Sequence, residues 1–267
     1  FITMQTILDG KYQAQSSVVA LGMFDGVHIG HQVLLQKAKA LAAQHGVPLV
    51  VCTFVQHPLT LIAPEKAPAM LTTLDERAAQ MEALGVDVLY AQPFTKRIMT
   101  MPPEDYVGQL VRHFHPVAVV CGYNHTFGQG GKGTPALLSA LGAALGFETV
   151  AVPQITLKGQ EVSSTAIRAA LERGDVYKAR QLLGRPYAQR ASLAGSAGGR
   201  YDLMMEPDGK QELPAGKYRA LCDDGAHRYP VLLHIRRAGR AQCYLHQAAH
   251  LGETLQLQYL TQMELEF

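Results

Sequence analysis

Residues 18–31 read Val-Val-Ala-Leu-Gly-Met-Phe-Asp-Gly-Val-His-Ile-Gly-His. A short apolar run ends at Gly22, the chain turns through Asp25-Gly26, and a helix opens carrying His28 and His31. A buried strand, a glycine turn and a helix N-terminus make a seat for phosphates. Glycines let backbone N–H groups come close to an anion, and a helix start favours negative charge. Two imidazoles on the first helical turn add donors that can follow charge onto a leaving pyrophosphate. The pattern is neither G-x-x-x-x-G-K-[ST] nor G-x-G-x-x-G. The competing reading is a plain strand–turn–helix with incidental histidines.

Outward from this stretch, apolar runs alternate with helical spacings as far as about residue 185. Strands are expected at Ser17–Met23, Pro48–Phe54, Val86–Tyr90, Val117–Cys121 and Glu148–Val152. Helices are expected at Ile29–His45, Thr73–Leu84, from Pro102-Pro103 to about Phe114, and at Pro135–Leu145. That alternation predicts a parallel sheet with helices on both faces, and such sheets bind ligands at the carboxyl ends of their strands. Two short helices follow, Ser163–Arg173 and Asp175–Leu183. Ala191–Arg200 (ASLAGSAGGR) reads as a glycine-rich linker or loop. Beyond it, Lys217–Cys222, Tyr229–Ile235, Ala241–His246, Thr254–Leu260 and Met263–Phe267 read as strands of a small antiparallel β domain.

The chain has 267 residues, 48% of them hydrophobic, enough for one large or two smaller cores. A net charge of +2 argues against nucleic acid or an anionic membrane as the main partner. Cys52, Cys121, Cys222 and Cys243 are scattered and form no C-x-x-C, so neither a zinc site nor a disulfide framework is expected; Cys52 and Cys121, in apolar runs, predict buried thiols, and a reducing cytoplasm fits. No run of ~18 apolar residues and no basic-then-apolar leader is present. Met4 is the expected natural start, with Phe1-Ile2-Thr3 a remnant ahead of it.

Three further stretches carry candidate chemistry. In Thr53-Phe-Val-Gln-His57-Pro58 a histidine held extended before proline can point at a ligand, or can be an ordinary loop residue. The segment Cys121–Thr134 (CGYNHTFGQGGKGT) predicts a flexible loop over a ligand, with Asn124 for a sugar or base edge, Phe127 for a ring and Lys132 for phosphate. A solvated glycine loop is its alternative. In Val162-Ser163-Ser164-Thr165-Ala-Ile-Arg168 the hydroxyls offer caps and phosphate donors, and Arg168 can reach the same anion.

In this order, GMFDGVHIGH, TFVQHP, CGYNHTFG, VSSTAIR and LLGRPY resemble the bacterial bifunctional riboflavin kinase/FAD synthetase family, in particular its FMN adenylyltransferase module. The resemblance covers about Val18–Tyr187. It implies a Rossmann-like nucleotidyltransferase domain over residues 1–187, then a small antiparallel barrel-like domain over residues 188–267. It implies His28, His31 and Arg168 as the catalytic groups, the histidines stabilising charge that passes to pyrophosphate. Gly22, Met23, Phe24, Gly26, Asn124, Ser163, Ser164 and Thr165 are implied for ATP, and His57, Pro58 and Phe127 for the flavin. No residue is assigned to a protein-bound metal; Mg2+ is expected with ATP, and FMN and FAD as substrate and product. Many members carry aspartate where Asn124 stands, and several an arginine where this loop offers Lys132.

The expected reaction is in-line attack of the FMN phosphate on the α-phosphorus of ATP, with pyrophosphate leaving. The kinase barrel's G-F-P-T-A-N motif is missing, and ASLAGSAGGRYDL stands where it would fall. A degenerate barrel without riboflavin kinase activity is therefore expected. The alternatives are a nucleotidyltransferase for another phosphate acceptor and a non-catalytic flavin- or nucleotide-binding regulator. Partners are expected to be small molecules, with neither nucleic acid nor membrane, and a homo-oligomer is left open.

Overall fold

Five buried residues, Ser17–Leu21, form a central strand of a six-stranded sheet. The computed structural model describes residues 3–245 and 251–263. The chain divides into two compact units, the described residues up to Pro68 with Leu74–Thr156, and Ala69–Thr73 with those from Leu157 on.

In the first unit the strands are β1 (Gln5–Ile7), β2 (Ser17–Leu21), β3 (Leu49–Phe54), β4 (Val88–Gln92), β5 (Pro116–Gly122) and β6 (Glu148–Val152). Their order is β1-β4-β3-β2-β5-β6. Every neighbouring pair is parallel. The helices are α1 (Ile29–His45), α2 (Leu59–Ile62), α3 (Leu74–Ala83), α4 (Lys96–Met99), α5 (Pro103–Phe114) and α6 (Pro135–Leu145). Side chains alternate across a strand, so β2 feeds two cores. Val18 and Ala20 pack with Leu34, Leu35, Ala38 and Ala42 of α1. Val19 and Leu21 pack with Val107, Leu110 and Phe114 of α5 and Leu138 of α6. Each such valine or leucine contributes about 1.5–3 kcal/mol on burial.

Local chemistry sets the helix ends. Pro103 opens α5 with Glu104 and Asp105 in its first turn, where a missing N–H costs nothing and acids meet the dipole. Thr134 caps α6 by accepting the Leu137 amide hydrogen at 3.2 Å. The strand expected at Ser17–Met23 stops at Leu21, because the turn begins at Gly22. The three-residue edge strand β1 was not foreseen; it is short and largely exposed. From β2 the chain steps through β3 to β4 on one side, then returns to lay β5 on the other. The order therefore reverses between β2 and β5, the crevice where open sheets of this kind bind ligands.

A short hairpin, β7 (Thr156–Leu157) and β8 (Gln160–Glu161), precedes α7 (Ser164–Glu172) and α8 (Val176–Leu183). Then β9 (Ala188–Ala197), β10 (Arg200–Met205), β11 (Gly216–Asp223), β12 (Arg228–Arg237), β13 (Arg240–Leu245) and β14 (Thr254–Met263) close a barrel in the order β10-β13-β12-β11-β14-β9. Ala191–Arg200, expected as a linker, is strand and tight turn instead: β9 pairs with both β10 and β14. Its small residues hide the alternation that normally marks a strand, and closure of the barrel supplies the pairing they do not announce. Interior tyrosines keep their hydroxyls paired, as burial demands. Tyr259 donates to Gln189 Oε1 at 2.7 Å and Tyr218 to the Pro214 carbonyl at 2.8 Å. Met263 ends β14; the rest of the strand expected at Met263–Phe267, His246 at the end of Ala241–His246, and Phe1 and Ile2 lie outside the described residues.

Candidate active site

The turn after β2 is strained and buried. Phe24 (φ 52°) and Val27 (φ 40°) both lie in the left-handed region with Gly26 (φ 83°), a cost that a side chain bears only where its surroundings over-determine it. Phe24, Asp25, Gly26, Val27 and His28 are buried, whereas Gly22 and Met23 before them and Ile29, Gly30 and His31 after them are half-buried. Gly22 is crowded by its neighbour. A Cβ there would meet the Phe24 ring at 3.0 Å.

His28 is the N-cap of α1. Its Nδ1 accepts the His31 backbone N–H at 3.3 Å, so the ring proton sits on Nε2. The His28 and His31 rings stack with centroids 3.6 Å apart and planes 16° from parallel. Phe24 meets the His31 ring edge-on at 5.3 Å. The buried phenyl thus supports one imidazole and that imidazole the other, at a helix start whose amides and dipole favour an anion.

Beneath the turn lies Arg77 of α3, only 1% exposed. Its Nη1 donates to the carbonyls of Met23 (3.0 Å) and Phe54 (3.0 Å) and to Thr53 Oγ1 (3.3 Å), and its Nη2 to the Val55 carbonyl (2.8 Å). Thr53 Oγ1 donates to the same Met23 carbonyl at 3.0 Å. Burial pulls the guanidinium below its usual pKa, and the buried Asp25 carboxylate opposes that shift. Neither Arg77 nor Thr53 was among the expected site residues. The signal was present: Arg77 stands in the stripe Leu74, Ala78, Met81 that faces the core, where helical spacing calls for an apolar residue.

His57, like His28, turns its Nδ1 to a helix start, accepting the Leu59 amide hydrogen at 3.1 Å. Pro58 is the N-cap residue of that single-turn helix. After β5, Asn124 is exposed. Phe127 is 6% exposed and packs on Tyr106 with centroids 5.6 Å apart, so its ring is occupied by the core. The loop expected to be flexible is pinned: Phe127 and Gly133 exchange both backbone hydrogen bonds, at 3.2 and 2.8 Å. A Cβ on Gly133 would fall 2.4 Å from the Phe127 ring, and one on Gly128 would fall 2.8 Å from Pro103. Gly130, at the tip, meets nothing. His125 stacks on Phe127 at 6.0 Å. Its Nε2 is sealed from solvent without a hydrogen-bond partner, and burial lowers its pKa to about 4.

In the second unit Ser163 caps α7 by accepting the Ala166 amide hydrogen at 3.2 Å. Ser164 and Thr165 occupy its first turn. Arg168 Nε donates to the Ala69 carbonyl at 2.7 Å. Among the described residues no group of three histidines, cysteines or acids could hold a metal ion.

A parallel sheet whose strand order reverses beside a glycine–histidine turn, followed by a closed barrel, defines a two-unit protein of the α/β class, whose sheets bind ligands at that switch point. Residues 11–166 match the family model described as FAD synthetase, and the chain belongs to that family. It is 35% identical over 179 residues to the bifunctional riboflavin kinase/FMN adenylyltransferase of Listeria monocytogenes, covering 67% of this chain and 57% of that protein. With the protein of the same name from Bacillus subtilis, identity is 36% over 179 residues, covering 66% and 56%. The match thus spans little more than half the length of these curated relatives. A crystal structure described as a macrolide-efflux protein from Streptococcus pneumoniae superposes with a TM-score of 0.87 at 25% identity, covering 97% of this chain and 91% of that one. Among the described residues no helix is long and apolar enough to cross a membrane.

Proposed function

We propose that this chain transfers AMP from ATP to FMN, giving FAD and pyrophosphate. The observation that carries this reading is the capped histidine. With Nδ1 committed to the His31 amide, Nε2–H of His28 is a fixed donor at the N-terminus of α1. A phosphate oxygen of FMN attacks the α-phosphorus of ATP, the bond to the β-phosphate oxygen breaks, and the pyrophosphate takes the electron pair. No covalent enzyme intermediate is needed, so positioning and charge neutralisation supply the acceleration. His28 donates to the departing oxygens, and His31 stacks behind it and holds its plane. On the resemblance, Ser163, Ser164, Thr165 and Arg168 are given to the nucleotide's phosphates, and His57 and Pro58 to the flavin. Magnesium fits as an ion carried on the phosphates, since it keeps few protein ligands and several waters.

The family match and the relatives named FMN adenylyltransferase support the reaction class. For riboflavin phosphorylation we propose inactivity, because Tyr201-Asp202-Leu203-Met204-Met205 continues β10 where the kinase motif would fall, with Tyr201 and Leu203 buried in the barrel. Cys52, Cys121, Cys222 and Cys243 are free and buried; a reducing cytoplasm is part of the same reading.

Separate incubations of the protein with ATP·Mg and either FMN or riboflavin, followed by chromatography, test both statements. The expected products are FAD and pyrophosphate from FMN, and nothing from riboflavin. Binding of FMN without pyrophosphate release would favour the non-catalytic reading.

A further inference from the structure

Among the described residues Arg77 is the largest side chain that is fully buried. All its acceptors are at or just beyond the carboxyl ends of β2 and β3: Met23 O, Thr53 Oγ1, Phe54 O and Val55 O. Asp25, in the turn itself, is 1% exposed and supplies the opposing charge. Arg77 has its Nε buried without a hydrogen-bond partner, so the Asp25 charge and the two Nη groups, whose planar fork can hold several carbonyls at once, offset the burial. What it holds is the buried half of the turn, Phe24–Val27, where two non-glycine residues sit in the left-handed region. That buried half sets the spacing between the accessible halves, Gly22-Met23 on one side and Gly30-His31 on the other. With the Met23 carbonyl drawn inward by two donors, Phe24 is held under His31 and His28 stays in its capping geometry.

We propose that Arg77, with Asp25 and Thr53, is the positioning residue of the nucleotide seat, acting through the strained turn to orient His28 and His31. The kinetic part of its test rests on the adenylyl-transfer reading, and the spectroscopic part does not. Arg77→Lys keeps the charge beside Asp25 but cannot span the carbonyls on both sides. The folded variant, checked by cooperative urea unfolding, is expected to lose kcat for FAD formation by roughly 100-fold, the scale of an ångström's misplacement, with KM for ATP changed far less. In 15N-labelled protein without ligand, the His28 ring is expected to show a fixed Nε2–H tautomer that gives way to two exchanging tautomers in the variant. A folded Arg77→Lys with kcat within about threefold of wild type, or with an unaltered His28 tautomer, overturns the proposal. If Arg77→Lys does not fold, Thr53→Val decides. It removes one of the two donors to Met23 O, and is expected to shift the His28 ring nitrogens and lower kcat roughly tenfold; unchanged values overturn the proposal. A wild-type protein that forms no FAD defeats the adenylyl-transfer reading, and the His28 resonances alone then decide the role of Arg77.

Discussion

Two stretches, Gly22–His31 and Ala191–Arg200, each carry three glycines in ten residues and differ in physics. In the first, the glycine is crowded: the Phe24 ring lies over Gly22, and the backbone is left-handed even at Phe24 and Val27. A buried arginine and aspartate anchor it. In the second, Gly198 and Gly199 also have positive φ, at 58° and 78°, but a Cβ on them, or on Gly195, would meet nothing within 4 Å. That stretch turns a hairpin and stops there. Left-handed non-glycine residues over buried charge store strain, whereas left-handed glycines in open solvent make an ordinary turn.

The sharpest way to break the contrast is His28→Ala. If the histidine is only a cap, the loss should be about 1 kcal/mol of stability. The expected result is also a drop of about two orders of magnitude in FAD formation, near 3 kcal/mol of transition-state stabilisation, measured as kcat/KM. Acid sensitivity probes a third glycine-rich stretch, the pinned loop after β5. His125 is held neutral by burial with a pKa near 4, against an ordinary 6.5. The unfolded chain therefore binds the extra proton first, and stability present above pH 6.5 is lost as pH falls toward 4, by up to about 3 kcal/mol. His125→Phe should flatten that part of the pH profile in urea titrations between pH 7 and 4. An unchanged slope would show that His125 is not the group responsible.

Gly22→Ala should cost about 2 kcal/mol of unfolding free energy through overpacking against Phe24. It should also lower activity, because the ring it displaces supports His31. Gly195→Ala, its counterpart in the barrel, should instead stabilise by about 0.5 kcal/mol, since an open extended position gains by restricting the unfolded chain. Equal costs at Gly22 and Gly195, read from urea midpoints, would erase the distinction drawn between the two stretches.

Much was legible along the chain because it is encoded by near neighbours. The run Ser17–Leu21, the cap at Ser163 and the proline and acids that open α5 are local signals, and each structure formed within two residues of its expected place. The glycine–histidine turn was legible for the same reason. Phe127 was not, because a ring in a glycine loop faces ligand or core depending on what lies beneath, and here Tyr106 does. The barrel's first strand was missed because alanine, serine and glycine carry little alternation.

From the sequence alone, the parallel α/β class, the strand–turn–helix after β2 and the pair of histidines within one helical turn could be determined, since helical and strand periods act over a few residues. The tertiary structure alone decided that His28 spends Nδ1 on a cap, that Arg77 sits under the turn 54 positions away from Met23, and that ASLAGSAGGR closes a barrel. Each of these depends on which distant groups share a buried space, where an unpaired donor or charge is costly. No periodicity in the chain records that.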